Sequence, residues 1–248
     1  EKDVTFFCDQ DDIWLPKKIE KMLSAFEREP EVGMVLSYDH RVDAAGNQIP
    51  LGCRRSYLIP YLKKKNSFRA LFQNQCWTWA AHNMACRTSL RDHLVRQDGW
   101  EGISFDCYLY MMSGFLSEVR VVLEPCTYWR RHGENLTARA GRVKNPLKLL
   151  WNSVKRHSDL NHILFKLQLW HCLTVDLSRF EQVKGKPEFI FAQNIAIHLE
   201  NRVRMHESIW RRPPLWIAEL FSGRYFMCAN KPIRDLMSDL LAFPQKRP

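Results

Sequence analysis

The sequence predicts an α/β fold for the first part of the chain, and three observations carry this prediction. Residues 4–8 (VTFFC) form a short apolar and aromatic run that stops at an acidic loop, as a buried strand would. Apolar residues then recur at helical spacing after Pro16. Residues 33–38 (GMVLSY) form a second buried run. Strand, loop, helix and strand in this order are typical of α/β domains.

Each element follows from a local pattern. Pro16 suits the first turn of a helix, where its missing N–H costs nothing. This helix would place four apolar side chains on one face: Ile19, Met22, Leu23 and Phe26. Residues 43–47 (DAAGN) predict the turn of a short hairpin. Residues 119–123 and 126–129 predict two further strands joined through Glu124 and Pro125.

Beyond residue 141 the pattern becomes helical. Amphipathic helices are predicted around residues 147–154, over residues 160–177 and around Pro213 and Pro214. We therefore predict an α/β domain over residues 1–138 and a basic, mainly helical region over residues 139–248. The length of 248 residues allows one large domain or a domain with a helical appendage.

Composition excludes several classes of protein. The chain is 46% hydrophobic and 26% charged, with 10 Gly and 12 Pro, which excludes collagen-like and disordered chains. No apolar run reaches the ~18–20 residues of a membrane-spanning helix. The eight cysteines form no C-x-x-C pair, which argues against zinc ribbons and thioredoxin-type motifs. With reduced thiols and no signal peptide, we expect a cytoplasmic protein.

Charge divides the chain in two. Residues 1–138 hold 18 Lys and Arg against 18 Asp and Glu, whereas residues 139–248 hold 19 against 9. The whole excess of +10 therefore lies in the second region. A basic region can face nucleic acid, an anionic membrane surface or a phosphorylated substrate. A solvated helical face is an equally good interpretation.

Three carboxylates crowd the loop after the first strand: Asp9, Asp11 and Asp12. They repel one another unless a cation or a ligand rich in hydrogen-bond donors neutralises them. Carboxylate oxygens suit Mg²⁺ or Mn²⁺, which keep open positions for phosphate oxygens. The alternative is a structural one, in which Asp12 starts the turn before Pro16.

Residues 6–19 (FFCDQDDIWLPKKI) resemble the D-x-D region of family 2 glycosyltransferases, in particular the bacterial rhamnosyltransferase-like members. Those enzymes have the GT-A fold and a D-[QS]-D-D segment followed by Trp, Pro and a Lys-rich helix. Five further segments continue the resemblance: residues 33–39, 43–46, 83–87, 105–108 and 129–135. Residues 223–225 and 234–236 extend it weakly.

The resemblance implies an inverting, metal-assisted glycosyltransferase that moves a sugar from a nucleotide-diphosphate sugar to a glycan or lipid-linked glycan. Such enzymes act in cell-envelope polysaccharide biosynthesis. Asp106, in a motif that carries the catalytic base, would deprotonate the acceptor hydroxyl. Its alternative is an N-cap of a helix through Tyr108 and Met112.

The remaining roles follow from the same resemblance. Asp11 is the first choice as ligand of Mn²⁺ or Mg²⁺, with Asp9 supporting ribose or metal. His132 would contact the metal or the diphosphate, although a lone His is more often structural. The donor diphosphate is assigned to Arg130, Arg131 and Asp12, and the acceptor to Trp77, Trp79 and Asn83. Tryptophans two residues apart are equally typical of a strand core.

The chain departs from the family pattern at three places. Trp129 replaces a tyrosine, and His82 stands where a small residue is common, so the acceptor pocket differs. The family's nucleotide-binding half, which begins with a strand ending in Pro-x-Tyr-Asn, has no counterpart before Asp9. The resemblance therefore implies that residues 1–138 are the C-terminal part of a Rossmann-like GT-A catalytic domain, the half that binds metal and acceptor, followed by a helical appendage. We expect the chain to begin inside a larger protein and to lack the part that binds the nucleotide base.

Two other functions remain open at this point. One is a basic module that binds nucleic acid or a membrane surface, with a catalytically incompetent GT-A remnant. No nucleic-acid recognition motif is readable, so a nucleic-acid partner is not expected, whereas peripheral contact with the anionic inner face of the cell membrane is. The other is a phosphoaspartate hydrolase, but such enzymes need Asp-x-Asp-x-Thr and Ile13 occupies the fifth position.

Overall fold

The computed structural model describes residues 3–49, 68, 72, 79–94, 103–131, 159–229 and 232–241. The chain divides into two compact units, which we describe separately. The first comprises residues 1–100 and 104–140, and the second comprises residues 101–103 and 141–248.

The first unit is built on a mixed five-stranded sheet. Its strands are β1 (Val4–Phe6), β2 (Ile13–Trp14), β3 (Val32–Asp43), β4 (Met84–Arg87) and β5 (Glu118–Arg131). They are ordered β1-β4-β3-β5-β2 across the sheet. β3 and β5 run parallel, and the other three neighbouring pairs are antiparallel.

Helices cover this sheet: α1 (Lys18–Arg28), α2 (Thr88–Leu94) and α3 (Phe105–Leu116). Met22 and Phe26 of α1 pack against Val32 and Val35 of the central strand β3. Burial of these side chains follows from the helical spacing in the sequence. Ile19, predicted on the same face, is instead 46% exposed.

The predicted α/β class is confirmed, and two of its details are wrong. Residues 119–123 and 126–129 belong to one strand, β5, which follows β3 along its whole length. Pro125 cannot donate to the ladder, and it lies where the β3–β5 register shifts between Leu36 and Tyr38. The first helix begins at Lys18 rather than at Pro16.

The predicted turn at residues 43–47 is confirmed. Asp43 Oδ1 accepts hydrogen bonds from the backbone N–H groups of Ala45 and Asn47, and Val42 bridges to Gln48 beyond the turn. Gly46 has a φ of 89°, a left-handed conformation that glycine adopts without steric cost. The turn therefore depends on the Asp and Gly of the sequence pattern.

The described part of the second unit consists of helices. They are α4 (Leu160–Leu177), α5 (Pro187–Glu207), α6 (Arg212–Phe221), α7 (Arg224–Cys228) and α8 (Pro232–Leu241). The predicted helix over residues 160–177 is confirmed, and α6 carries the predicted prolines in its first turn. The helix predicted around residues 147–154 lies outside the described residues. Among the described helices, none combines the length and apolarity needed to cross a bilayer.

Candidate metal and acid–base site

The acidic loop is fixed at both ends by the sheet. β1 precedes the loop and pairs with β4 at one edge, while β2 follows it and pairs with β5 at the other edge. The loop must therefore pass from one edge of the sheet to the other. The two-residue strand β2, which has no sequence signal of its own, determines this path.

Asp9, Asp12 and His82 meet along this path. His82 lies in a short 3₁₀ turn, Ala81–Asn83, directly before β4. Its Nδ1 is 3.1 Å from Asp9 Oδ2 and 3.1 Å from Asp12 Oδ2. The Asp12 side chain is fully buried, and its Oδ1 accepts a hydrogen bond of 3.1 Å from the backbone N–H of Arg130. The Asp9 side chain is half exposed, which leaves one side of the group open to solvent.

A third carboxylate lies on the opposite side of the imidazole. Asp39 Oδ2 is 3.7 Å from His82 Nε2, and it accepts a hydrogen bond of 2.8 Å from Asn83 Nδ2. Burial on its own would lower the pKa of His82, but the carboxylates of Asp39, Asp12 and Asp9 outweigh it and raise that pKa. Burial raises the pKa of Asp12, and this effect is larger than the lowering of the same pKa by His82 and by the hydrogen bond from the Arg130 N–H.

Lys18 binds the backbone of His82 and stabilises the turn that carries it. Its buried Nζ donates hydrogen bonds to the carbonyl of His82 at 2.5 Å and to Thr127 Oγ1 at 2.9 Å. Its ammonium group also lies 4.3 Å from the centre of the Trp14 ring. Burial lowers the pKa of Lys18 to about 8, although neighbouring anionic groups oppose this change. Lys18 therefore fixes the backbone of the turn that carries His82.

Asp106 joins the same site from helix α3. Its Oδ2 accepts a hydrogen bond of 3.2 Å from the backbone N–H of Ala81, the residue before His82. Burial raises the pKa of Asp106, and the nearby charge of Asp9 adds to this effect. The N-cap of α3 is Ser104, so Asp106 lies within the first turn and is not the N-cap. A carboxylate with a raised pKa suits a general base that works near neutral pH.

The side chains of Asp9, Asp12 and His82 could together hold a metal ion. Their three ligand atoms lie within 4.8 Å of one another. Asp12 Oδ2 and His82 Nε2 are buried and make no hydrogen bond within the described residues, so the site has unused polar capacity. The imidazole favours a transition-metal ion such as Mn²⁺ over Mg²⁺, which prefers oxygen ligands.

The predicted site residues fall into three sets. Asp9 and Asp12 lie in one group with His82, Asp106 binds the backbone N–H of Ala81 next to His82, and Arg130 reaches Asp12 through its backbone N–H. Asp11 is partly buried, but its carboxylate is not part of the three-residue group. His132 and Trp77 lie outside the described residues.

Two predicted acceptor contacts are buried instead. Trp79 is 1% exposed, donates to the carbonyl of Ser37 and packs edge-on against Tyr38, so it belongs to the core and offers no face for a sugar. Asn83 is fully buried and holds Asp39. Its contribution to the site is therefore indirect.

An aromatic face in the site comes from Trp129. Its ring lies 6.1 Å from the His82 ring, and the guanidinium groups of Arg41 and Arg131 lie 4.9 and 5.6 Å from its centre. Stacked Arg groups fix the orientation of the indole. Arg131, predicted to contact the diphosphate, is thus positioned beside this ring.

The sequence alone missed His82, Asp39 and Lys18 as parts of the site. His82 was visible only as a departure from the family pattern, and Asp39 only as the end of a matched strand. Lys18 stands in a Lys-rich segment whose members are otherwise expected to be solvated. The contacts that bring these residues into the site join residues far apart in the sequence. Lys18 binds a residue 64 positions away, and Asp9 and His82 are 73 positions apart, so no local pattern reveals them.

Comparisons with protein-family models and with curated proteins do not assign the chain to a family. No protein-family model matches the chain. A search of curated proteins also found no match.

Proposed function

We propose that the chain is the metal- and acceptor-binding part of an inverting glycosyltransferase of the GT-A type, related to family 2 and its bacterial rhamnosyltransferase-like members. Its donor would be a nucleotide-diphosphate sugar and its acceptor a glycan or lipid-linked glycan. One observation carries the proposal: Asp106, a carboxylate with a raised pKa, lies beside a group of two carboxylates and an imidazole suited to a metal ion. A base next to a site for a diphosphate-bound cation is the minimum that such a transfer needs.

Asp106 takes the proton from the acceptor hydroxyl. The hydroxyl oxygen then forms a bond to the anomeric carbon while the bond from that carbon to the diphosphate oxygen breaks. A single displacement of this kind inverts the configuration at the anomeric carbon. The Ala81 N–H holds the carboxylate of Asp106 in place. The raised pKa of Asp106 makes this carboxylate a stronger base.

Asp9, Asp12 and His82 would hold the divalent ion, which when bound supplies positive charge to stabilise the departing diphosphate. Arg130 N–H fixes the orientation of Asp12, and Lys18 fixes the turn that carries His82. The half-exposed Asp9 leaves this group accessible to a phosphate ligand.

The test is the release of nucleoside diphosphate in the presence of Mn²⁺. The assay uses the longer reading frame that the resemblance implies upstream of Glu1, with UDP-, dTDP- and GDP-sugars and a mixture of glycan acceptors. We expect release with one nucleotide class, reduced at least ~100-fold by Asp106→Asn because the base is lost. The control Glu31→Gln removes an exposed carboxylate outside the site and should retain full activity.

Equal release by the parent protein and Asp106→Asn would contradict the role of Asp106. Absence of release with every donor and acceptor would contradict the transferase proposal as a whole. That result would favour the alternative of a binding module with an incompetent catalytic remnant.

A further inference from the structure

Helix α6 buries both of its charged side chains and exposes two of its large apolar ones, while Leu215, Trp216 and Leu220 are partly buried. Arg212 and Glu219 are buried, with Glu219 completely shielded from solvent. Ile217 and Phe221, one helical turn apart, are exposed, and Phe221 reaches 86%. Trp210, two residues before the helix, is 88% exposed. Buried charges beside exposed large apolar side chains are unusual for a helix at a water-facing surface.

The last described helix, α8, shows the same distribution. Asp235, Ser238 and Asp239 are buried, whereas every large apolar side chain of α8 except the partly buried Leu236 is exposed. Ile233 is 72% exposed. Together with α7, which lies between them in the chain, the two helices expose a set of large apolar residues: Ile209, Trp210, Ile217, Phe221, Phe226, Met227, Ile233, Met237, Leu240 and Leu241.

Buried ion pairs fix this orientation. Arg202 of α5 binds Asp239 at 2.8 Å and Asp235 at 3.1 Å, and the Tyr225 hydroxyl donates to Asp239 at 2.8 Å. Glu219 of α6 accepts from Arg224 and is paired with His198. Rotating α6 or α8 to hide its apolar side chains would separate these buried charges, and a buried charge that loses its partner is strongly destabilising. The apolar exterior is therefore a stable property of the unit.

The charge of this segment restricts what can cover it. Residues 209–248 contain three acidic side chains, Glu219, Asp235 and Asp239, and all three are buried. The same stretch contains seven basic residues: Arg211, Arg212, Arg224, Lys231, Arg234, Lys246 and Arg247. Arg212 is buried, Arg224 is paired with Glu219, and Lys231, Lys246 and Arg247 lie outside the described residues. The segment thus combines an apolar exterior with positive charge and has no acidic side chain left to oppose an anionic partner.

We propose that α6, α7 and α8 form a docking surface for an anionic lipid bilayer. Exposed Trp and Phe side chains insert at the level of the lipid headgroups, and basic side chains contact the anionic phosphates. A second copy of the chain fits less well, because two such surfaces would bring the same positive charges together. The proposal does not depend on the transferase activity.

The test measures cosedimentation of the purified chain with vesicles. One set of vesicles contains about 30% phosphatidylglycerol in phosphatidylcholine and has an anionic surface, and the other set contains phosphatidylcholine alone. We expect binding to the anionic vesicles at low salt, with affinity that falls as salt is raised. The double variant Trp210→Ser with Phe221→Ser should weaken this binding at least about tenfold, because two inserted aromatic side chains are lost.

The matched control removes exposed apolar residues from helices outside the proposed surface. The double variant Phe165→Ser with Ile190→Ser changes two side chains that are 43% and 50% exposed on α4 and α5, and it should bind as the parent does. Absence of binding to anionic vesicles would overturn the proposal, as would equal binding by the Trp210 and Phe221 variant. A stable dimer that this variant dissociates, without vesicle binding, would assign the surface to a second copy instead.

Discussion

His82 connects the charged groups of the first unit. Its Nδ1 contacts Asp9 and Asp12, its Nε2 faces Asp39, and its backbone carbonyl accepts from Lys18. One imidazole therefore lies among three carboxylates, and its pKa is raised in spite of burial. Neither an N-cap nor a solvated loop explains this convergence, because Asp12 is buried and directed at the imidazole.

The pH dependence of transfer tests the role of Asp106. A base must be deprotonated, so kcat/KM falls as the pH drops through the pKa of this carboxyl. Because burial raises that pKa above the usual 3.8, the acid limb of the profile should lie above pH 3.8. Measuring kcat/KM from about pH 4 to pH 8 with saturating Mn²⁺ locates it. A rate that stays constant down to pH 4 would contradict the assignment.

The support given by Lys18 predicts a loss of stability on its removal. Lys18→Met leaves the His82 carbonyl and the Thr127 hydroxyl without their buried donor. We expect the free energy of unfolding to fall by about 1–3 kcal/mol in urea denaturation. Lys17→Met, a change at the exposed neighbouring residue, should stay within ~0.5 kcal/mol of the parent. A similar effect of both variants would show that the buried ammonium does not stabilise the turn.

At the scale of elements, local patterns predicted those whose stability is largely local. The helix over residues 160–177 and the turn at Asp43 and Gly46 were readable because spacing, capping and turn chemistry act over a few residues. β2 and the continuity of β5 were not readable. β2 depends on hydrogen bonds to β5, and the continuity of β5 depends on hydrogen bonds to β3, and in both cases the partner strand is far away in the chain. The same reason explains why Asp9 was found from the sequence while its partner His82 was not.

The contact between α5 and α6 predicts a defined loss of stability in acid. Burial on its own would raise the pKa of Glu219, but hydrogen bonds from His198, Arg224 and Asn201 lower it to about 2. A carboxyl whose folded pKa lies below the unfolded value of 4.5 adds stability above pH 4.5, and this contribution disappears as the pH falls towards 2. The size of the effect is roughly 3 kcal/mol.

Urea denaturation of the parent and of Glu219→Gln between pH 2 and pH 7 measures this contribution. The difference in unfolding free energy between the two proteins should shrink as the pH falls from 4.5. Glu200→Gln, a change at an exposed carboxylate paired with Arg204, is the control and should show a small difference at every pH. A constant difference between the parent and Glu219→Gln would contradict the lowered pKa.

At the scale of the whole molecule, the two compact units carry different chemistry. The first assembles acids, an imidazole and a general base around a mixed sheet. The second holds a group of buried ion pairs beneath helices that expose large apolar side chains in a basic segment. The charge division was visible in the sequence, since counting Lys and Arg requires no structure. The exposed apolar side chains of α6 and α8 were not, because an apolar stripe is normally assigned to the buried face.

Binding of Mn²⁺ to the purified chain tests the central claim that Asp9, Asp12 and His82 form the functional centre of the first unit. Electron paramagnetic resonance measures free Mn²⁺ directly during a titration and needs no knowledge of the donor sugar. We predict one bound ion, with affinity at least about tenfold lower in Asp9→Asn and nearly unchanged in Asp11→Asn. Absence of binding by the parent chain, or a loss in Asp11→Asn that Asp9→Asn does not share, would contradict the account.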